Sequence, residues 1–250
     1  MKKIGIIGGS GLDDPDILTA VKDISIKTPY GDTSSTLRQG IIEGEQIIFI
    51  ARHGRNHSIT PSNVNYRANI WALKELGCEI VIASTAVGSL RQEIKPGHIV
   101  LPNQLIDFTK QRESTFFFEN EVVHTPMADP FSNELIDLLI DVIRGLGIIF
   151  HTNKTVITIE GPRFSSKSES NMFRSWGADI INMSTCPEAI LARELDLKYV
   201  SIAMSTDYDS WKDDEEPVSW ELVKKIMDQN SSKVIDIFRN VIPLLNSSEI

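Results

Sequence analysis

Short apolar, β-branched runs recur along the chain and alternate with stretches in which apolar residues return every three or four positions. The runs at 3–7, 46–51, 79–84, 98–101, 155–159, 179–182 and 199–205 read as strands, since such residues suit a pleated, buried surface. Helical spacing with readable ends lies between them. Residues 65–76 set Ile70, Leu73 and Leu76 on one stripe and stop at Gly77, where a glycine takes the left-handed cap at low cost. Ser132 can cap 133–146, whose leucines and isoleucines form a broad apolar face before Gly147. Residues 167–176 end at Gly177, Pro187 suits the first turn of a helix over 188–195, and Ser219 opens a final helix that ends near Pro243. Strands alternating with helices of this length predict an α/β fold: a mixed, mostly parallel sheet flanked by helices on both faces.

Length and composition fit that picture. The 250 residues, 41% hydrophobic and 24% charged, make one sizeable core and exclude intrinsic disorder, and no repeat or linker divides residues 1–250, so a single domain is expected. The longest apolar stretch, 135–150, is broken by Asp137, Asp141 and Arg144, which argues against a membrane span. The basic start Lys2-Lys3 runs into glycines and acids rather than an apolar leader, so a cytoplasmic protein is expected. Cys78 and Cys186 cannot staple a chain this long and lack metal-ligand spacing. With 25 basic against 34 acidic residues the formal charge is −9, and no Lys/Arg run occurs, which argues against nucleic acid. Any anionic ligand must therefore be held by local groups against the overall field.

In α/β sheets ligands bind beyond the carboxyl ends of the strands, and those positions carry the chemistry here. Gly8-Gly9-Ser10-Gly11 follows the first strand. Its glycines admit an anion to backbone N–H groups, although the spacing is neither a dinucleotide fingerprint nor a P-loop, and a plain tight turn would look the same. Arg52-His53-Gly54-Arg55-Asn56-His57 follows the 46–51 run. It suits an oxyanion, with Arg52 donating bidentately, or else forms a solvated basic turn. His53 and His57 stand four apart but lack a third ligand, so zinc is not expected. Thr85-Ala86-Val87-Gly88-Ser89 and Asn182-Met183-Ser184-Thr185 are small and hydroxyl-rich, and Met183 taken alone reads as core. The last strand runs into Thr206-Asp207-Tyr208-Asp209. Two carboxylates at i and i+2 can face one ligand as acid and acceptor, or can close an Asx-type turn.

Together these segments resemble the trimeric purine nucleoside phosphorylases, most closely the branch acting on 5′-methylthioadenosine. The resemblance covers nearly the whole chain. It includes Ala51-Arg52-His53-Gly54-Arg55, Thr85-Ala86-Val87-Gly88-Ser89-Leu90, Thr158-Ile159-Glu160-Gly161-Pro162-Arg163-Phe164-Ser165-Ser166, Asn182-Met183-Ser184 and Ala203-Met204-Ser205-Thr206-Asp207-Tyr208-Asp209. It implies a phosphate site of Ser10, Arg52, His53, Thr85, Ala86 and Ser184, with serine at positions 10 and 184 where threonine is frequent. It implies a ribose contact at Met183 beside Asn182, a base-pocket wall at Phe164 and Ser165, and two purine-facing carboxylates, Asp207 and Asp209. Trp220 and Val223 would border the 5′ group, with Ser165, Trp220 and Val223 affecting specificity. Trp220 departs from the small aliphatic residue usual there and can instead pack outward. His124 would reach in from a neighbouring subunit of a homotrimer.

The chemistry so implied is attack of phosphate on C1′ with release of adenine, leaving 5-methylthioribose 1-phosphate. Asp207 would protonate the leaving purine, which needs a pKa raised by a dry pocket and a neighbouring carboxylate. Phosphate is a co-substrate, and neither a metal nor an organic cofactor is expected. The alternatives are a 6-oxopurine or methylthioinosine phosphorylase, which Asp rather than Asn at position 207 disfavours, a nucleoside hydrolase, and a nucleoside-binding protein without turnover.

Overall fold

A computed structural model describes residues 2–9, 11–12, 17–117, 122–214 and 219–247. Its strands are β1 (Lys3–Gly8), β2 (Thr19–Ile24), β3 (Leu37–Ile42), β4 (Glu45–Ala51), β5 (Cys78–Ser89), β6 (Ile99–Phe108), β7 (Phe150–Ile159), β8 (Ile180–Asn182) and β9 (Lys198–Asp207), hydrogen-bonded in the order β2-β3-β4-β1-β5-β8-β7-β6-β9. The pairs β1–β4, β1–β5, β5–β9, β6–β7 and β7–β8 are parallel; β2–β3, β3–β4, β5–β8 and β6–β9 are antiparallel. The sheet is mixed and mostly parallel, as its sequence pattern predicts.

It is not simply open. β5 pairs with β9 from Ile80↔Lys198 to Gly88↔Asp207, and its last residues, Gly88 and Ser89, pair with β8. That double use closes β5-β8-β7-β6-β9 into a ring. β5, β6 and β7 each extend past the predicted run, because their ends find partners in the ring despite polar residues.

Five helices join the described strands: α1 (Tyr66–Glu75), α2 (Asn133–Gly145), α3 (Lys167–Ser175), α4 (Thr185–Glu194) and α5 (Trp220–Ser247). Their ends follow local chemistry. Asn65 caps α1 by accepting from the Ala68 N–H, and Gly77 takes φ +82° behind it. α2 buries Leu135, Ile136, Leu139, Val142 and Ile143, each contributing roughly 1.5–3 kcal/mol before conformational entropy is subtracted. α4 begins earlier than predicted, at Thr185. α5 continues beyond Pro243, whose neighbours Ile242 and Leu245 are fully buried and keep the last turn docked. α1 packs on α4 and α2 on α5, with β9 against members of both pairs. No helix among the described residues is long and apolar enough to cross a membrane.

Candidate active site

The carboxyl ends of β4, β5, β7, β8 and β9 converge on one cavity of about 310 Å³. Its walls include Arg52, His53, Thr85, Ala86, Phe164, Ser165, Asn182, Met183, Ser184, Asp207, Asp209, Trp220 and Val223. These are residues from six separate stretches of sequence. Ser10 lies outside the described residues.

One end is suited to an anion. Arg52, only 1% exposed, donates from Nε and Nη2 to Glu188 at 2.6 and 2.7 Å, and from Nη1 to the Ser84 carbonyl at 2.9 Å. The fork expected to grip the ligand is therefore taken up by Glu188, and two N–H bonds, one on each terminal nitrogen, stay available. Thr85 and Ser184 stand with their hydroxyl oxygens 3.0 Å apart. Ser184 is the N-cap of α4, yet its side chain makes no capping bond, so its hydroxyl is left to face this corner; the Thr185 and Cys186 N–H groups behind it are taken by Asn182 Oδ1 and the Thr158 hydroxyl.

Three expected donors behave differently. Gly9 N–H donates to the Ser84 hydroxyl at 3.0 Å, so it is spent inside the protein. A Cβ at Gly9 would lie 2.4 Å from the Ser84 carbonyl oxygen and 2.6 Å from Arg52 Nη1; the glycine makes room for the arginine rather than for an anion. Asn182 gives both amide hydrogens to the Thr85 and Thr185 hydroxyls and accepts from Thr158, so it orients Thr85 and has no N–H left for a ligand. His53 holds the Ile59 carbonyl 3.0 Å from Nδ1. Burial, then the charges of Arg52 and His57, push its pKa down to about 3. The ring is neutral at pH 7, the carbonyl takes Nδ1–H, and Nε2 is left as an acceptor.

The opposite end holds the two carboxylates. Asp207 closes β9 and accepts from the Thr206 hydroxyl and the Asp209 N–H, both at 2.7 Å. The second bond is an Asx-type turn, so the turn and the shared cavity exist together. Burial raises the Asp207 pKa to about 6; the two hydrogen bonds pull it back and the Asp209 charge adds to the rise. Asp209 is also raised, first by burial, and its Oδ2 has no hydrogen-bond partner among the described residues. A Cβ at Gly88 would lie 3.0 Å from Asp207 Oδ1 and 3.1 Å from Ile181, so a larger residue there would displace the carboxylate. Trp220 both lines the cavity and stacks on His57 at 5.2 Å. His124 is exposed and takes no part in this chain's own cavity.

Sequence reasoning misses the residues behind the walls. Glu188 and Tyr199 hold Arg52. Arg112, its side chain 1% exposed, donates to the carbonyls of Met183, Cys186 and Glu160, each at 2.7 Å. Tyr199 stands 11 positions from Glu188, but Glu188 is 136 positions from Arg52 and Arg112 is 46 from Tyr66, and no local pattern announces such contacts.

Residues 3–243 match the phosphorylase superfamily. The chain is 53% identical over 246 residues to S-methyl-5′-thioadenosine phosphorylase of Danio rerio, spanning 96% of this chain and 88% of that one. It is similar in structure to methylthioadenosine phosphorylase from Schistosoma mansoni in complex with adenine, with a TM-score of 0.94, 38% identity, and coverage of 100% of this chain and 93% of that one. A substituted variant of the adenosine/methylthioadenosine phosphorylase from the same organism, in complex with methylthioadenosine, gives a TM-score of 0.93 at 37% identity and the same coverage.

Proposed function

Since the chain belongs to the phosphorylase superfamily, we propose that it cleaves 5′-methylthioadenosine with inorganic phosphate, giving adenine and 5-methylthioribose 1-phosphate. The observation that carries this reading is one cavity with an anion corner at one end and a buried carboxyl of raised pKa at the other. The bond between C1′ and the purine nitrogen breaks through a transition state with oxocarbenium character. Phosphate held by Arg52, Thr85, Ala86, Ser184 and Ser10 supplies the oxygen that bonds to C1′, and its charge favours the cationic sugar. His53, an acceptor at Nε2, suits a phosphate oxygen that carries a proton or a sugar hydroxyl.

The electron pair of the broken bond goes to the purine. Asp207, protonated, gives its proton to N7, and Asp209 accepts from the 6-amino group. Met183 contacts the ribose, Phe164 and Ser165 flank the base, and Trp220 and Val223 border the 5′ substituent. Neither a metal nor an organic cofactor enters these steps. Residues 1–250 act as one domain, as a homotrimer in which the exposed His124 meets a neighbour's cavity. The free, buried Cys78 and Cys186 suit a reducing cytoplasm.

The test is incubation with methylthioadenosine, adenosine or inosine, each with and without phosphate, following the free base. Adenine release from methylthioadenosine that depends on phosphate is expected. Equal rates without phosphate would make the protein a hydrolase.

A further inference from the structure

Glu188 lines no part of the cavity, yet it holds the cavity's cation. Its carboxylate is fully buried; Oε2 accepts from Arg52 Nε, and Oε1 accepts from both Arg52 Nη2 and the Tyr199 hydroxyl, the last at 2.8 Å. Tyr199 is itself buried on β9 and packs its ring against Phe131 at 5.9 Å. The guanidinium is planar, so fixing its Nε–Nη2 edge on Glu188 and one Nη1 hydrogen on Ser84 fixes the direction of the two N–H bonds that are left. Glu188 also cancels the formal charge of Arg52.

We infer that Glu188, itself set by Tyr199, is a positioning residue for phosphate: it aims Arg52 and leaves a corner that holds the anion through directed hydrogen bonds rather than net charge. A corner of that kind discriminates by geometry: without the carboxylate the guanidinium is free to turn its two remaining N–H bonds away from the anion. The inference rests on the phosphorylase reading. A purely structural ion pair would also be buried here, but its loss would lower thermal stability without singling out one substrate.

The experiment measures KM for phosphate and for methylthioadenosine, together with calorimetric Kd for phosphate alone, in the wild-type protein, Glu188→Gln and Tyr199→Phe. Gln keeps the length but sets an amide N–H against an Arg52 N–H. The loss of one charged hydrogen bond predicts a rise in phosphate KM and Kd of at least about tenfold, with KM for methylthioadenosine within about threefold. Tyr199→Phe leaves the ion pair in place and predicts a rise in phosphate Kd of about two- to fivefold. Equal changes in both KM values, or an unchanged phosphate Kd in folded Glu188→Gln, would overturn the inference. Should Glu188→Gln fail to fold, an unchanged phosphate Kd in Tyr199→Phe overturns it alone. Absence of phosphate-dependent turnover in the wild type would remove the phosphorylase reading instead, while the Kd series still reports on the clamp.

Discussion

At Asp207 the burial that makes a carboxyl useful as an acid also costs the fold stability. Its pKa in the native protein is about 6, above an ordinary value of 3.8, so the native state binds more protons than the unfolded chain between those two values. Stability attributable to this group is therefore intact below about pH 4 and is lost as pH rises through about 6. Replacing it by Asn removes the penalty: Asp207→Asn should gain up to about 3 kcal/mol above pH 7 and nothing at pH 4. Thermal unfolding at the two pH values checks this, and a gain equal at both would contradict it. Activity should move the other way. With phosphate saturating, kcat/KM for methylthioadenosine should fall as pH rises through about 6, and Asp207→Asn should lose that limb along with most of kcat.

Trp220 poses a different question at the same scale. Its indole lines the cavity but already stacks on His57, which in turn lies 4.8 Å from His53. The stack holds the indole at the cavity wall, where, on the proposed function, it would limit the size of a 5′ substituent. Trp220→Val should therefore raise kcat/KM for bulky 5′-thio groups relative to methylthio by at least roughly tenfold. A ratio that does not move would take Trp220 out of the 5′ pocket.

Elements were legible wherever burial and local periodicity agree. β1 and β4 carry compact apolar runs, and β9 one broken only by Ser201, because both of their sides are covered, and α1 and α2 announce themselves by cap and stripe. β2 and β3 left no such trace. Thr19–Ile24 is the edge strand and almost wholly exposed, and Leu37–Ile42, between it and β4, interrupts its apolar residues with Arg38, Gln39 and Gly40. Part of the cavity lining was legible for the reason that strands were, since Arg52, His53, Thr85, Ala86, Ser184, Asp207 and Asp209 sit at or just past the apolar runs; Phe164, Ser165, Trp220 and Val223 were marked by the family resemblance alone. The supports were not, because a buried arginine or glutamate is recognisable only by its partners. Arg112 is the clearest instance. It joins the segment after β6 to the ends of β7 and β8 through three carbonyls, and pairs with Glu160. Arg112→Met leaves those acceptors unpaired and a carboxylate without its cation, which predicts a loss of about 3 kcal/mol and a fall in Tm of roughly 10 °C. A Tm within about 2 °C of wild type would mean that water replaces the guanidinium at little cost.

At the scale of the whole molecule, an acidic chain of formal charge −9 that takes a dianion depends on its site being enclosed, because solvent and the surrounding carboxylates weaken every contact that stays open. This chain's cavity opens beside Trp220, which is nearly half exposed. Elsewhere the segment around His124 presents Val122, 81% exposed, and Val123, 39% exposed. Adjacent bare valines next to a histidine suit a surface that is covered in the working assembly. If a second copy covers it, burying Val122 contributes about 1.5–3 kcal/mol per interface, and a charge in its place would have to be desolvated. Val122→Asp should then shift the protein from a species of about three times the 28.0 kDa chain mass towards monomer in sedimentation at micromolar concentration. Its KM for methylthioadenosine should rise, since His124 would no longer be held at a neighbouring cavity, and higher protein concentration should restore activity by mass action. A wild-type monomer with full activity at every concentration would show that the cavity works without a neighbour.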